Sequence, residues 1–353
     1  MNHHFSHRAK VTEKPQGGGW QHKLKALIDQ HNHMKANGTS VASNRTREER
    51  CEKLFQMFRT LRDKLNFKIE DPNNLKIKHI ESLVKYWVEE GYAPATIDNF
   101  LSHLRLLCLW MKKPGMVKSL QVYAPEVKRT YAAKHDKSFV ANDVDFWEVW
   151  EKVRAMDQYV AMQLLLIKAF GARRKEAVMF KPLIADRELY IELFEGTKGG
   201  RPRMVPVEDD FQRNVLATLK NFVASRLADA KGHIGDPDKD LEQNLKRYSY
   251  VLGAVGITKK SLGVTGHGLR AEYANDQLAK LGVITTIRGG SGKAEDKLTT
   301  KIAYLKVSEA LGHSREDVMT AYGGRRRPSR QPECGDVQRP GRTAEPGAEE
   351  ERN

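Results

Sequence analysis

The sequence predicts a mainly α-helical protein with one small antiparallel β-sheet, divided into two domains. Three observations carry this. Apolar residues recur at three- and four-residue steps through most of the chain. Strand-type runs are confined to residues 189–193 and 203–207, on either side of a glycine-rich turn. The 353 residues divide at a basic stretch, residues 114–138, broken by Pro114, Gly115 and Pro125.

The first domain is expected over residues 20–113. Residues 1–19 hold His3, His4, His7, Arg8, Lys10 and Gly17-Gly18-Gly19, and read as a flexible basic tail. Trp20, Leu24, Leu27 and Ile28 share one face of a helix that ends near Gly38. A second helix, capped by Ser43 or Asn44, turns Cys51, Leu54, Phe55, Phe58, Leu61 and Leu65 inward. Its other face carries Arg45, Arg47, Arg50, Lys53, Arg59 and Arg62. After the turn Asp71-Pro72-Asn73-Asn74, a third helix over about 78–90 turns Ile80, Leu83, Val84 and Trp87 inward and stops at Gly91. The fourth starts near Pro94, a residue suited to a first helical turn, and runs to Pro114-Gly115. Thr96, Asn99, His103 and Arg105 on it read equally as groove contacts or as a solvated face. Four amphipathic helices make a small bundle. Residues 114–138 then add Lys118, Lys128, Arg129, Lys134 and Lys137, a linker suited to following a phosphate backbone.

The second domain is expected over residues 139–324. Asn142 or Asp143 caps a helix holding Phe146, Val149, Trp150 and Val153. Residues 159–170 are apolar at most positions, which predicts a buried helix closed by Gly171. Another helix opens within Gly171-Ala172-Arg173-Arg174-Lys175-Glu176 and stops before Pro182. Between the two strands, Gly196-Thr197-Lys198-Gly199-Gly200 makes a hairpin turn, so Lys198 stands at a strand end. Further helices follow over about 210–228, 241–253, 269–281, 299–311 and 315–322. Residues 283–297 are glycine-rich and charged. Their Gly289-Gly290-Ser291-Gly292-Lys293 lacks the G-x-x-x-x-G-K-[ST] spacing of a phosphate loop, so a mobile loop is expected and nucleotide binding is not. Residues 325–353 open with Arg325-Arg326-Arg327 and continue almost without apolar residues, a disordered tail by composition.

The 60 Lys and Arg exceed the 45 Asp and Glu by 15, a surplus that points to a polyanionic partner, most simply DNA. Cys51, Cys108 and Cys334 are odd in number and have no metal-ligand spacing, so neither a disulfide framework nor a metal site is expected. No leader-like apolar run opens the sequence and no stretch approaches the ~20 apolar residues of a membrane span. A cytoplasmic, nucleoid-associated protein with no membrane partner follows as an expectation.

Six residues can do chemistry together: Arg173, Lys198, His267, Arg270, His313 and Tyr322. Attack on a phosphodiester builds charge on two non-bridging oxygens, which guanidiniums clamp bidentately. A tyrosine nucleophile, with an ordinary pKa of about 10, needs a partner to take its proton, and a histidine can do so near neutral pH. A lysine on a hairpin can return a proton to the leaving sugar oxygen. Taken singly, each residue reads as ordinary: Arg173 as a basic helix start, Lys198 as a turn lysine, His313 as a helix cap, Tyr322 as a half-buried tyrosine. Their ordered combination changes that reading.

The combination resembles the tyrosine recombinase (phage integrase) family. Gly171, Arg173 and Glu176 match its G-x-R-x-x-E box, and that spacing selects Arg173 over Arg174. Lys198 matches the hairpin lysine; His267, Leu269 and Arg270 match H-x-L-R; Leu311, Gly312 and His313 match L-G-H; Tyr322 follows nine residues on as the nucleophile. The order and helix-strand context agree over about 140–324, whereas residues 20–113 look like the four-helix, SAM-like core-binding domain. The chain departs from the family at Ala271-Glu272, where His-Thr is common, at a longer 283–297 segment, and at Gly323-Gly324 after the tyrosine. The resemblance implies a clamp on double-stranded DNA at specific recombination sites, and a tyrosine-type DNA strand transferase that forms a 3′-phosphotyrosine and a free 5′-hydroxyl. It implies a tetramer on DNA exchanging strands through a Holliday junction, accessory DNA-bending or directionality proteins, and no metal or nucleotide cofactor. An integrase of a bacterial or phage mobile element is the expected role. A type IB topoisomerase and an inactive DNA-binding protein are the alternatives.

Overall fold

The computed structural model describes residues 19–35, 38, 40–225, 232–313 and 315–326. Of the tails expected over 1–19 and 325–353, residues 1–18 and 327–353 lie outside the described residues. The chain divides into two compact units, Met1–Thr130 and Tyr131–Asn353.

The first unit is built from α1 (Trp20–His31), α2 (Asn44–Arg59), α3 (Ile77–Glu89), α4 (Pro94–Trp110) and α5 (Leu120–Tyr123). Ser43 caps α2, its hydroxyl accepting from the Thr46 amide at 3.2 Å. A π-helical turn over Thr60–Lys64 continues α2 and carries Leu61 into the core with Leu24, Phe58, Leu83 and Leu104. The arginine-rich face of α2 splits. Arg50 is buried and donates to the Met34 carbonyl at 2.8 Å; Arg62 donates to the Ile69 carbonyl at 2.6 Å and lies over Trp20. Arg45, Arg47 and Arg59 stay exposed. The stretch read as a linker does more than connect: Val117, Leu120 and Ala124 are buried in the first core. Their helical spacing is hidden in sequence by the charges and prolines around them.

The second unit holds α6 (Phe146–Met156), α7 (Gln158–Phe170), α8 (Arg174–Met179), α9 (Pro182–Ala185), β1 (Tyr190–Leu193), β2 (Arg203–Pro206), α10 (Asp210–Ala224), α11 (Leu241–Ala254), α12 (Gly266–Lys280), α13 (Lys297–Ala310) and α14 (Thr320–Gly323). The cap of α6 is Asp145, whose carboxylate accepts from the Trp147 and Glu148 amides, rather than Asn142 or Asp143. Asn142 instead donates to the Ser138 carbonyl at 2.7 Å, and Asp143 takes a left-handed turn. The central α7 is buried nearly all round and packs on α6, α10 and α12. It ends at Gly171 in the left-handed conformation, φ +57°, as the sequence predicts. The strands pair antiparallel, Ile191 opposite Val205. Among the described residues, no helix is long and apolar enough to cross a membrane.

The segment between α12 and α13 corrects the expectation of a mobile loop. Val283 and Thr285 are buried, and the Gly290 and Gly292 amides close turns onto the Thr285 and Ile284 carbonyls at 3.0 and 2.9 Å. Arg288 ties it to Asp276 at 2.6 Å and Asp136 at 3.1 Å. These anchors come from other elements, so composition alone could not reveal them.

Candidate active site

Local backbone rules set each side chain of the site. Gly171 turns the chain out of α7, and Arg173 follows in extended conformation as the N-cap of α8. Its amide donates to Glu176 Oε2 at 2.7 Å and its Nη1 to Glu176 Oε1 at 2.6 Å. His267 and Arg270 stand one turn apart in the first turn of α12, which begins at Gly266. At the end of α13, Gly312 adopts φ +68° and the His313 amide returns to the Ser308 carbonyl at 2.9 Å. Glycine is required there twice over: the conformation is left-handed, and a β-carbon would stand 2.6 Å from Arg203 Cδ. Tyr322 lies in α14, 8% exposed.

Five of the six candidates come together. Arg173 Nη2 and Arg270 Nη2 donate to one oxygen, the Leu311 carbonyl, at 2.9 and 2.6 Å, so a single acceptor brings the two guanidiniums side by side. Arg270 is fully buried, donates also to the Gly171 carbonyl, and places Nε 3.2 Å from the Tyr322 hydroxyl. His313 Nε2 lies 3.3 Å from the same hydroxyl. The His267 ring is 6.0 Å from the Tyr322 ring, centroid to centroid. Lys198 makes no direct contact with the other five: it sits in a short turn between the strands, exposed and without an ion-pair partner among the described residues, though its charge is felt at His313.

Electrostatics set the protonation states. Burial followed by the charge of Arg270 and its cationic neighbours lowers His313 to about 4, so it is neutral at pH 7. Desolvation, then Arg270, Lys137 and Arg173, lowers His267 as well. Desolvation lowers Arg270 to about 10, which leaves it charged. Burial alone would raise Glu176, but Arg203 and Arg173 outweigh it and hold the carboxyl at about 2. Two guanidiniums, Arg173 and Arg203, therefore gather round one buried carboxylate, while the third, Arg270, faces the tyrosine hydroxyl with no carboxylate partner among the described residues.

Two family models match the chain, one described as Integrase over residues 129–276 and one as Phage integrase, N-terminal, over residues 26–116. The chain belongs to the tyrosine recombinase (phage integrase) family. Solved structures of similar fold include a lambda integrase dimer bound to a COC′ core site, at 14% identity and TM-score 0.57 over 87% of this chain and 97% of that one. A lambda integrase tetramer bound to a Holliday junction matches at 13% identity and TM-score 0.52, over 88% of this chain and 84% of that one. The Tn1549 transposon integrase in complex with transposon right end DNA matches at 12% and 0.52, over 85% and 94%. At these identities the likeness is one of fold. No curated protein sequence matches the chain.

In this family member, sequence reasoning missed several residues that hold the site. Arg203 is buried on the inner face of β2, pairs with Glu176 at 2.7 Å and donates to the Ala310 carbonyl. The period of two gave a signal, since Arg203 shares its face with buried Val205. Glu272, at the departure Ala271-Glu272, accepts from the Phe139 amide at 2.8 Å and from Lys168 at 2.9 Å. Asn275 donates to the Tyr322 carbonyl at 3.2 Å. Neither carried a sequence signal, because their partners lie far along the chain.

Proposed function

We propose that this chain is a site-specific DNA recombinase, an integrase of a mobile element, that cuts and rejoins duplex DNA through a 3′-phosphotyrosine. The observation that carries the reading is the shared Leu311 carbonyl: it sets two guanidiniums side by side within reach of the Tyr322 hydroxyl. A phosphodiester entering there supplies the counter-charge that Arg270 lacks, and its non-bridging oxygens accept from Arg270 and Arg173.

Tyr322 Oη then attacks phosphorus and the bond to the 5′ oxygen breaks. The phenolic proton passes to His313, the nearer histidine, and Lys198 on its hairpin supplies a proton to the departing 5′ oxygen. His267 completes the hold on the phosphate. A bound phosphodiester also offsets the cations that depress His313, moving it back toward its ordinary value of 6.5 and making it a better base. The 5′-hydroxyl of a partner strand reverses the step. The phosphotyrosine keeps the bond energy, so the transfer as written uses no metal or nucleotide.

The surplus of 15 positive charges and the exposed Arg45, Arg47 and Arg59 of α2 support duplex DNA as the partner. Assembly as a tetramer on paired sites is part of the proposal. The test is a nicked suicide duplex, selected from a random-sequence pool by the full chain. A protein–DNA adduct resistant to denaturation is expected, and Tyr322→Phe abolishes it. An adduct retained by Tyr322→Phe, or none from the unaltered chain, overturns the reading. Relaxation of one duplex without exchange between two sites would assign a topoisomerase instead.

A further inference from the structure

Two oddities of the chain meet in space: the long 283–297 segment and the Gly323-Gly324 that follows Tyr322. The carbonyls of Tyr322 and Gly323 are each held by a side chain. Asn275 Nδ2 donates to the Tyr322 carbonyl at 3.2 Å, and Thr286 Oγ1 donates to the Gly323 carbonyl at 3.1 Å. Asn275 is itself fixed, donating to the Ala271 carbonyl at 2.8 Å and accepting from Thr285 Oγ1 at 2.7 Å. Both Asn275 and Thr285 are 1% exposed.

The fit explains the two glycines. A β-carbon at Gly323 would stand 2.7 Å from Thr285 Cγ2. At Gly324, φ +81°, it would run into Thr286 Oγ1 and lie 2.9 Å from Ile287 Cγ2. Beyond them, the Arg326 guanidinium sits 4.2 Å over the Tyr304 ring and 3.6 Å from Glu316. The Tyr304 hydroxyl in turn donates to the Gly292 carbonyl at 3.2 Å. From the other side, the Ala133 amide donates to the Thr320 carbonyl at 2.9 Å.

A four-residue helix such as α14 has little stability of its own. What holds it therefore decides where the tyrosine hydroxyl stands. Arg270 and Asn275 lie on one helix, α12, and grip the two ends of Tyr322, its hydroxyl and its carbonyl. We infer that the 283–297 segment is a clasp, with Asn275, Thr285 and Thr286 as positioning residues that fix Tyr322 against the phosphate clamp of α12. The inference rests on Tyr322 being the nucleophile. Its physical basis is the narrow tolerance of in-line attack, in which a displacement of about 1 Å can cost roughly a hundredfold in rate.

The test uses the full chain and the suicide duplex, with single-turnover adduct formation, DNA affinity and thermal melting measured side by side. Thr286→Val removes the hydroxyl and keeps the shape, Thr286→Ser keeps the hydroxyl, and Asn275→Ala removes the amide. Thr286→Val and Asn275→Ala are expected to slow adduct formation by about tenfold or more while DNA affinity holds. Thr286→Ser is expected to stay within about twofold of the unaltered chain, since the donor is retained. Adduct formation by Thr286→Val at the unaltered rate overturns the clasp, as does an equal loss in the valine and serine variants. A loss of DNA affinity or melting temperature that accounts for the rate loss overturns it too, by assigning these residues to folding. If the unaltered chain forms no adduct, it is the nucleophile reading that fails.

Discussion

Glu176 is the residue on which the arginine cluster depends. It is fully buried and carries ion pairs to Arg173 at 2.6 Å and Arg203 at 2.7 Å. Replacing it with an uncharged isostere leaves those guanidiniums without their counter-charge. Glu176→Gln is expected to lower stability at pH 7 by about 3–5 kcal/mol, read by urea unfolding. The pH dependence has a definite sign. Because the folded carboxyl sits at about 2 against an ordinary 4.5, its contribution is present above pH 4.5 and disappears as pH falls through about 2. The unaltered chain should therefore lose more stability than Glu176→Gln between those values. The spacing from Arg173 to Glu176 is legible in the sequence; for Arg203 the strand period shows only that its side chain faces inward, and its pairing with Glu176 is not legible, because β2 brings it back across a hairpin.

At the scale of elements, the turn that ends α13 does two tasks. It presents His313 to Tyr322 and turns the Leu311 carbonyl toward both arginines. Gly312 makes that turn possible. Gly312→Ala should cost about 1–2 kcal/mol from the left-handed conformation alone. That corresponds to a fall in melting temperature of roughly 2–8 °C by calorimetry for a unit of this size. The β-carbon also presses on Arg203 Cδ at 2.6 Å, so adduct formation should fall as well. A melting curve identical to that of the unaltered chain would contradict this account of the turn. The helices themselves were read from apolar spacing. Their caps are less legible: Asn142, Asp143 and Asp145 are all capping residue types, and only the backbone distinguishes Asp145 as the cap of α6.

For the whole molecule, charge is the accessible observable. A net +15 implies that binding to duplex DNA is driven largely by counterion release. The logarithm of the association constant against the logarithm of salt concentration should be a line steeper than about −5. A slope near zero would remove the electrostatic basis of the proposal. Arg45→Ala, Arg47→Ala or Arg59→Ala should each flatten the slope by about 1 if those exposed residues meet phosphates. Arg50 and Arg62 were indistinguishable from them in sequence. The structure engages both with carbonyl groups of their own unit, which makes them poor candidates for DNA contact.

The helical fold with its small hairpin, the basic character and the order of the candidate boxes follow from the residues alone, because periodicity, charge and spacing are local or additive. Which groups meet depends on how the chain packs. The convergence of Arg173 and Arg270 on the Leu311 carbonyl joins residues 138 and 41 positions apart. The partnership of Arg203 with Glu176 depends on how a strand returns, and the grip of residues 283–297 on Gly323-Gly324 depends on how a loop folds back. The same loop composition is compatible with mobility or with anchoring. Buried polar partners supplied from distant parts of the chain decide between them, and no local pattern encodes those partners.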